Sequence, residues 1–340
     1  MVGHVRNNVD VALRMKKPIF TIPLSVLIMI LVVFAFVSMV NNLLAYINST
    51  IKNLTMIPSN ASSFSLDNIQ TKKVRVGDID IAYKVFGKGK PLLLIPGFSA
   101  TMYVWDPTML DKLSSNHTIF VFDNRGIGKT TVGTKTWTIE QFANDTAGLI
   151  DALGIRKPID VLGLSWGGYV AQELTLMHPQ KVCKLILYGS DCGGKATILS
   201  PQMSPEIGRS VESGNVSVDT FISMFFPKEW LNDKGNAAYV QKVFSAMTPS
   251  FNSTPKENIQ HQAETTYSWN GSCDRLSNIT QTTLVIVGTD DIVRPPANSI
   301  ILAQKIPGAW LVQIKGGGHG LMSQYPQQFT AVLETFLSVS

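Results

Sequence analysis

Gly163-Leu164-Ser165-Trp166-Gly167-Gly168 closes an apolar run and passes without a spacer into the helix-like stretch Tyr169-Val170-Ala171-Gln172-Glu173-Leu174. A Gly-x-Ser-x-Gly held between a strand and a helix forms a strained tight turn that lifts the serine hydroxyl clear of its own backbone. The flanking glycines have a steric reason, because a Cβ two residues either side would collide with the adjoining strand and helix. Ser165 is therefore the first candidate for chemistry.

Serine is a poor nucleophile at neutral pH unless an imidazole takes its proton and a carboxylate holds that imidazole in the right tautomer. The chain supplies both in order. After the apolar run Leu284-Val285-Ile286-Val287 comes Gly288-Thr289-Asp290-Asp291, and after Trp310-Leu311-Val312-Gln313-Ile314 comes Gly316-Gly317-Gly318-His319-Gly320. Each polar group sits just past the carboxyl end of an expected strand, where open α/β sheets build their sites. His319 alone among the five histidines occupies a glycine-flanked loop after a late strand. Asp290 and Asp291 in the first of these loops, and Asp191 after the sixth strand, are the candidates for the acid.

Strands are expected near Lys73–Val76, Ile79–Phe86, Pro91–Ile95, Thr118–Phe122, Ile159–Leu162, Val182–Leu187, Leu284–Val287 and Trp310–Ile314. Helices are expected at about Val104–Leu113, Ile139–Leu153, Tyr169–Met177, Pro296–Lys305 and Pro326–Leu337. Alternation of this kind gives a mostly parallel sheet with helices on both faces. About ninety residues without a strand signal precede Leu284; Phe221–Trp230 and Tyr239–Met247 within them have helical character.

With serine, aspartate and histidine in that order, the chain from about Val74 onward resembles the α/β-hydrolase superfamily, in its serine-nucleophile esterase, lactonase and perhydrolase-like branch. Phe122-Asp123-Asn124-Arg125-Gly126-Ile127-Gly128 carries the resemblance too, as a loop that stabilises the turn beside the site. The resemblance implies an eight-stranded sheet in a catalytic domain of residues 71–190 and 279–340, with a helical cap, residues 191–278, inserted over the cleft. It implies catalysis by Ser165, Asp291 and His319, and an oxyanion hole made by the backbone N–H groups of Phe98 and Trp166. Pro96-Gly97 stands where the family commonly has His-Gly. Phe221, Phe225, Phe226 and Trp230 of the cap, with Trp166, would then shape an apolar pocket.

Composition sets the surroundings. No charged residue occurs between Lys17 and Lys52, and Ile19 to Val40 is nearly all apolar, matching the roughly 20 residues a membrane-spanning helix requires. We expect a cytoplasmic N-terminus over 1–17, a signal anchor over 18–47 and a polar tether over 48–70; a cleaved signal ending near Ala45 is the alternative. Arg6, Arg14, Lys16 and Lys17 precede the span, which by the positive-inside rule sends the remainder across the membrane. These residues, with Asp10, account for +3 of the formal net charge of +5. The rest is nearly neutral, and nothing argues for nucleic acid. Nine of the asparagines begin an Asn-x-Ser/Thr sequon: Asn48, Asn53, Asn60, Asn116, Asn144, Asn215, Asn252, Asn270 and Asn278. All lie beyond the apolar segment, as glycosylation outside the cytosol requires.

Of the three cysteines, Cys192 and Cys273 bracket the cap and could be bridged in an oxidising compartment, while Cys183 is expected to be a buried thiol. No phosphate loop is present, since the first glycine of Gly-x-x-x-x-Gly-Lys-Thr would fall at Asp123. Neither a metal pattern nor a cofactor is indicated. The expected activity is hydrolysis of a small carboxylic ester or lactone. Acyl transfer or perhydrolysis, proline iminopeptidase-like amide cleavage and a non-enzymatic cell-surface binding module are the alternatives; the oligomeric state is open.

Overall fold

A computed structural model describes residues 64–251 and 253–339. The described residues form eight strands: β1 (Lys72–Val76), β2 (Ile79–Gly87), β3 (Lys90–Ile95), β4 (His117–Phe122), β5 (Ile159–Leu164), β6 (Val182–Tyr188), β7 (Thr282–Gly288) and β8 (Trp310–Ile314). They lie in the order β1-β2-β4-β3-β5-β6-β7-β8. Pairs β1–β2 and β2–β4 are antiparallel and the others parallel.

Successive side chains of a strand point to opposite faces, and here both faces are covered. Leu93, Ile95, Val161, Leu185, Leu187 and Val285 pack against α2 (Ile139–Ala152), α3 (Trp166–Met177) and α9 (Pro296–Lys305). Their neighbours Leu92, Leu94, Leu162, Leu164, Ile186 and Ile286 pack against α1 (Pro107–Ser114) and α11 (Pro326–Ser338). This is why the central strands lack polar alternation.

The element boundaries show which local forces won. The first helix starts at Pro107 instead of Val104, because Asp106 caps it by accepting from the N–H groups of Thr108 and Met109, and Pro107 takes the first position. Helix α3 starts at Trp166, three residues before the expected Tyr169. The expected tether also ends early. Phe64 packs on Phe86 at 5.0 Å between ring centroids, Leu66 is buried, and Lys84 Nζ donates to the carbonyls of Leu66 and Ile69 at 2.6 Å each. Residues 64–70 therefore belong to the domain. Cys183, the second residue of β6, is exposed, against the expectation of a buried thiol.

Between β6 and β7 lie α4 (Pro205–Glu212), α5 (Val218–Phe225), α6 (Lys228–Leu231), α7 (Lys234–Phe251) and α8 (Lys256–Ser268). Helices α5 to α7 were expected; α4 and α8 were not. The segment is closed at its base by a Cys192–Cys273 disulfide, with the Ser272 N–H donating to the Cys192 carbonyl at 2.7 Å. Short α10 (Leu321–Gln324) follows β8. Among the described residues no helix is long and apolar enough to cross a membrane; the expected anchor over 18–47 lies outside them.

The turn after β4 is fixed by buried charge. Arg125, fully buried, donates through Nε and Nη2 to Asp145 at 2.7 Å each and through Nη1 and Nη2 to Asp78 at 2.9 and 2.8 Å. Hydrogen bonding from Arg125 holds the Asp78 carboxyl well below the usual carboxylate range. Asp123 accepts from the N–H groups of Met102 and Lys129, yet burial pushes its carboxyl up to about 6.

Two expected outcomes follow from these charges. Arg125→Met strands two carboxylates and should cost about 3–5 kcal/mol in urea unfolding. Arg75→Met, which breaks the exposed pair with Asp80, should cost less than about 1 kcal/mol; equal losses would show that the Arg125 network is not what fixes the turn. For Asp123, a raised folded value means that its contribution is present in acid and lost as pH rises through about 6. Relative to wild type, Asp123→Asn should therefore gain thermal stability between pH 4 and 6; a difference independent of pH would contradict this.

Candidate active site

Ser165 stands between β5 and α3 with φ 53° and ψ −117°, a backbone conformation that costs a side-chain-bearing residue about 1–3 kcal/mol. The surroundings impose it. A Cβ on Gly163 would lie 2.5 Å from the Gly167 carbonyl oxygen, and one on Gly167 would lie 2.4 Å from the Ile95 oxygen. Hydrogen bonds lock the turn: the Ser165 N–H donates to the Tyr188 carbonyl at 2.8 Å, and its own carbonyl accepts from Ser190 Oγ and the Gly168 N–H, both at 2.8 Å.

The loop after β7 carries Asp291 and the loop after β8 carries His319. His319 Nδ1 lies 2.8 Å from Asp291 Oδ2, with both side chains buried. Asp291 Oδ1 accepts from the N–H groups of Val293 and Arg294 at 2.9 and 2.7 Å. An ionised carboxylate only accepts, so this pairing puts the imidazole proton on Nδ1 and leaves Nε2 as the acceptor. Below the ring, Gly189 has φ 54°, and a Cβ there would stand 3.1 Å from His319 Cε1.

The two alternative acids are engaged elsewhere. Asp191 accepts from Tyr169 Oη at 2.9 Å, the Gly193 N–H at 2.6 Å and Thr197 Oγ1 at 2.9 Å. Asp290 is exposed and accepts from Thr289 Oγ1.

Ser165 and His319 line one cavity of about 1160 Å³, together with Phe98, Trp166, Phe221, Phe225 and Phe226. The Trp166 N–H is one of the donors a helix leaves free at its first turn, and among the described residues neither it nor the Phe98 N–H has a protein acceptor. The loop bearing Phe98 is pinned from α8, where Gln262 Oε1 accepts the Ser99 N–H at 2.6 Å. Nothing in the sequence pointed to Gln262. The Trp166 ring lies edge-on to Phe142 at 4.9 Å within the core, so it acts by packing more than by narrowing the pocket. Trp230 stacks on Phe226 at 5.5 Å and is not part of the cavity wall.

Phe225 does more than line the pocket. Its ring meets His319 edge-on at 5.0 Å, and its carbonyl accepts the Gly320 N–H at 2.8 Å. A Cβ on Gly318 would come within 2.5 Å of that same carbonyl. The glycines around His319 are thus required by the helix above them.

A family model for the alpha/beta hydrolase fold matches residues 90–324. A protein from Mycobacterium tuberculosis named for non-haem bromoperoxidase activity is 30% identical over 268 residues, covering 77% of this chain and 99% of its own. Another from Azorhizobium caulinodans, named as a carbamate hydrolase, is 26% identical over 263 residues, or 76% of this chain and 96% of its own. A thermophilic esterase from Thermogutta terrifontis shares the fold at a TM-score of 0.67 and 25% identity, over 79% of this chain and 98% of the other. The sheet order, the turn at Ser165 and these matches agree, and the chain belongs to the α/β-hydrolase fold family.

Proposed function

We propose that this protein is a serine hydrolase that cleaves a small carboxylic ester or lactone through an acyl-enzyme. The observation that carries the reading is the 2.8 Å contact between His319 Nδ1 and Asp291 Oδ2, which sits behind the cavity that His319 and Ser165 both line. Ser165 Oγ attacks the acyl carbon while His319 Nε2 takes its proton, and the proton then passes to the departing alkoxide. Negative charge on the former carbonyl oxygen is met by the N–H groups of Phe98 and Trp166. Water repeats the sequence to release the acid. The relative named for bromoperoxidase activity favours a second reading, transfer of the acyl group to an acceptor other than water. Product analysis with a competing nucleophile separates the two.

We also propose that residues 18–47 anchor the chain, residues 1–17 stay in the cytoplasm, and the catalytic domain lies outside it. Three features support this: the apolar segment from Ile19 to Val40, the Cys192–Cys273 bridge, which belongs in an oxidising compartment, and the sequons. Asn116, Asn144, Asn215, Asn270 and Asn278 are all exposed, as glycan attachment needs. The full chain should stay in membranes after carbonate washing, and protease added outside cells should shed an active fragment; recovery of a soluble chain lacking residues 1–45 would show cleavage instead.

A fluorophosphonate probe should label wild type and leave Ser165→Ala unlabelled with its fold intact; labelling of the variant would remove Ser165 from its role. Asp291→Asn should lower turnover by about 10⁴, the scale of losing the correct tautomer, and Asp191→Asn by far less. Each buried methylene is worth about 0.8 kcal/mol. kcat/KM should accordingly rise several-fold per carbon from acetate towards octanoate p-nitrophenyl esters, and a flat series would place the acyl chain outside the cavity.

A further inference from the structure

Arg294 follows the acid Asp291 by three residues and lines the cavity. Its backbone N–H donates to Asp291 Oδ1 at 2.7 Å, and its side chain reaches across to the loop after β6. There Nε lies 2.8 Å from Asp191 Oδ2, and the guanidinium sits 5.8 Å from the centre of the Tyr169 ring on α3. The Nε–H is not aimed at the carboxylate, so the contact has the distance of an ion pair without the geometry of a hydrogen bond. Directional bonds to Asp191 come from Tyr169, Gly193 and Thr197 instead. What Arg294 and Asp191 exchange is charge.

The consequence reaches the proton acceptor. Asp191, Arg294 and Asp291 place negative, positive and negative charge in succession, and His319 follows. Positive charge develops on His319 when it takes the serine proton, and a cation in the cavity wall opposes that step. A buried carboxylate beside the cation removes the opposition. The guanidinium itself has a mechanical use, since it spans from the acid loop to the β6 loop and the helix that follows Ser165.

We propose that Asp191 and Arg294 are positioning residues for the hydrolytic centre: Arg294 ties the acid loop to the β6 loop and α3, and Asp191 neutralises it so that His319 can take a proton. The proposal rests on the serine-hydrolase reading above. The remaining ionisable groups near His319 do not supply this neutralisation. Tyr188 donates to the His319 carbonyl and Tyr169 to Asp191, and burial pushes both phenols far up. Asp290 is exposed on the acid loop, and Asp106 is tied to Tyr239 at 2.6 Å.

The test is the pH dependence of kcat/KM for a neutral p-nitrophenyl ester, measured with the full chain in detergent. Asp191→Asn keeps an amide oxygen to accept from Gly193 and Thr197, and its NH2 can donate to Tyr169 Oη in place of the bond it loses; it leaves Arg294 uncompensated, so its acidic limb should move to lower pH by about one unit. Arg294→Met should move the limb the other way by a similar amount. The double variant should return it towards wild type. Arg294→Lys, which keeps the charge without the planar reach, should lose turnover with its limb unmoved. A purely structural pair would lower activity in every variant without opposite displacements. Limbs that stay fixed, or move in the same direction for Asp191→Asn and Arg294→Met, overturn the proposal. Should either of those variants fail to fold, a displaced limb in Arg294→Lys overturns it as well. Absence of phosphonate labelling in wild type would defeat the hydrolase reading first, whereas a labelled enzyme with unmoved limbs defeats only this inference.

Discussion

The backbone of Ser165 is the constraint from which the site is built. At φ 53° the residue cannot be part of β5 or of α3, and the close approach of the Gly163 and Gly167 backbones to their neighbours packs the turn tightly around it. The cost, about 1–3 kcal/mol, is offset by the cores on either face of the sheet, by the bond that the Ser165 N–H donates to the Tyr188 carbonyl and by the one that its carbonyl accepts from Ser190. Those two residues end and follow β6, so the adjacent strand fixes the elbow directly. Tyr188 also donates to the His319 carbonyl at 2.5 Å. One strand thereby positions both the serine turn and the histidine loop.

The helices over the sheet complete the arrangement from above. Phe225 binds the histidine loop through its carbonyl and its ring, and Gln262 binds the loop that carries the Phe98 N–H. Each contact runs from the inserted segment to a loop at the carboxyl end of a strand. A change in how these helices sit would thus alter the histidine and the proposed oxyanion donors together. The Cys192–Cys273 bridge shortens the base of the segment and limits such change.

Much of this was legible in the sequence because the sheet and the elbow are governed by local rules. Buried parallel strands must be continuously apolar, and Leu284–Val287 and Val182–Leu187 are. Gly-x-Ser-x-Gly, followed by Asp and His past later strands, pointed to Ser165, His319 and the loop with Asp290 and Asp291, of which the family resemblance favoured Asp291, the one that lies 2.8 Å from His319. What escaped was set by long-range contact. Helix α4 spans only 8 residues, with Ile207 and Val211 its sole aliphatic pair, too short a pattern to stand out, and α8 buries Asn258, Gln262 and Thr265 beside Ile259 and Ala263, so its inward face is largely polar. Arg294 looks like a surface residue until the fold brings Asp191 beside it. Residues 64–70 have a linker's composition, yet Leu66 is buried and Lys84 holds the segment by its carbonyls.

On the serine-hydrolase reading the strained serine carries the acyl group during turnover. Mass spectrometry of peptides from enzyme acid-quenched within milliseconds of mixing with an activated ester tests this most directly. An acyl mass increment is expected on the peptide containing Ser165, forming faster than the steady state and lost on further incubation. An increment on another residue, or turnover with no acylated peptide at any time, would contradict it.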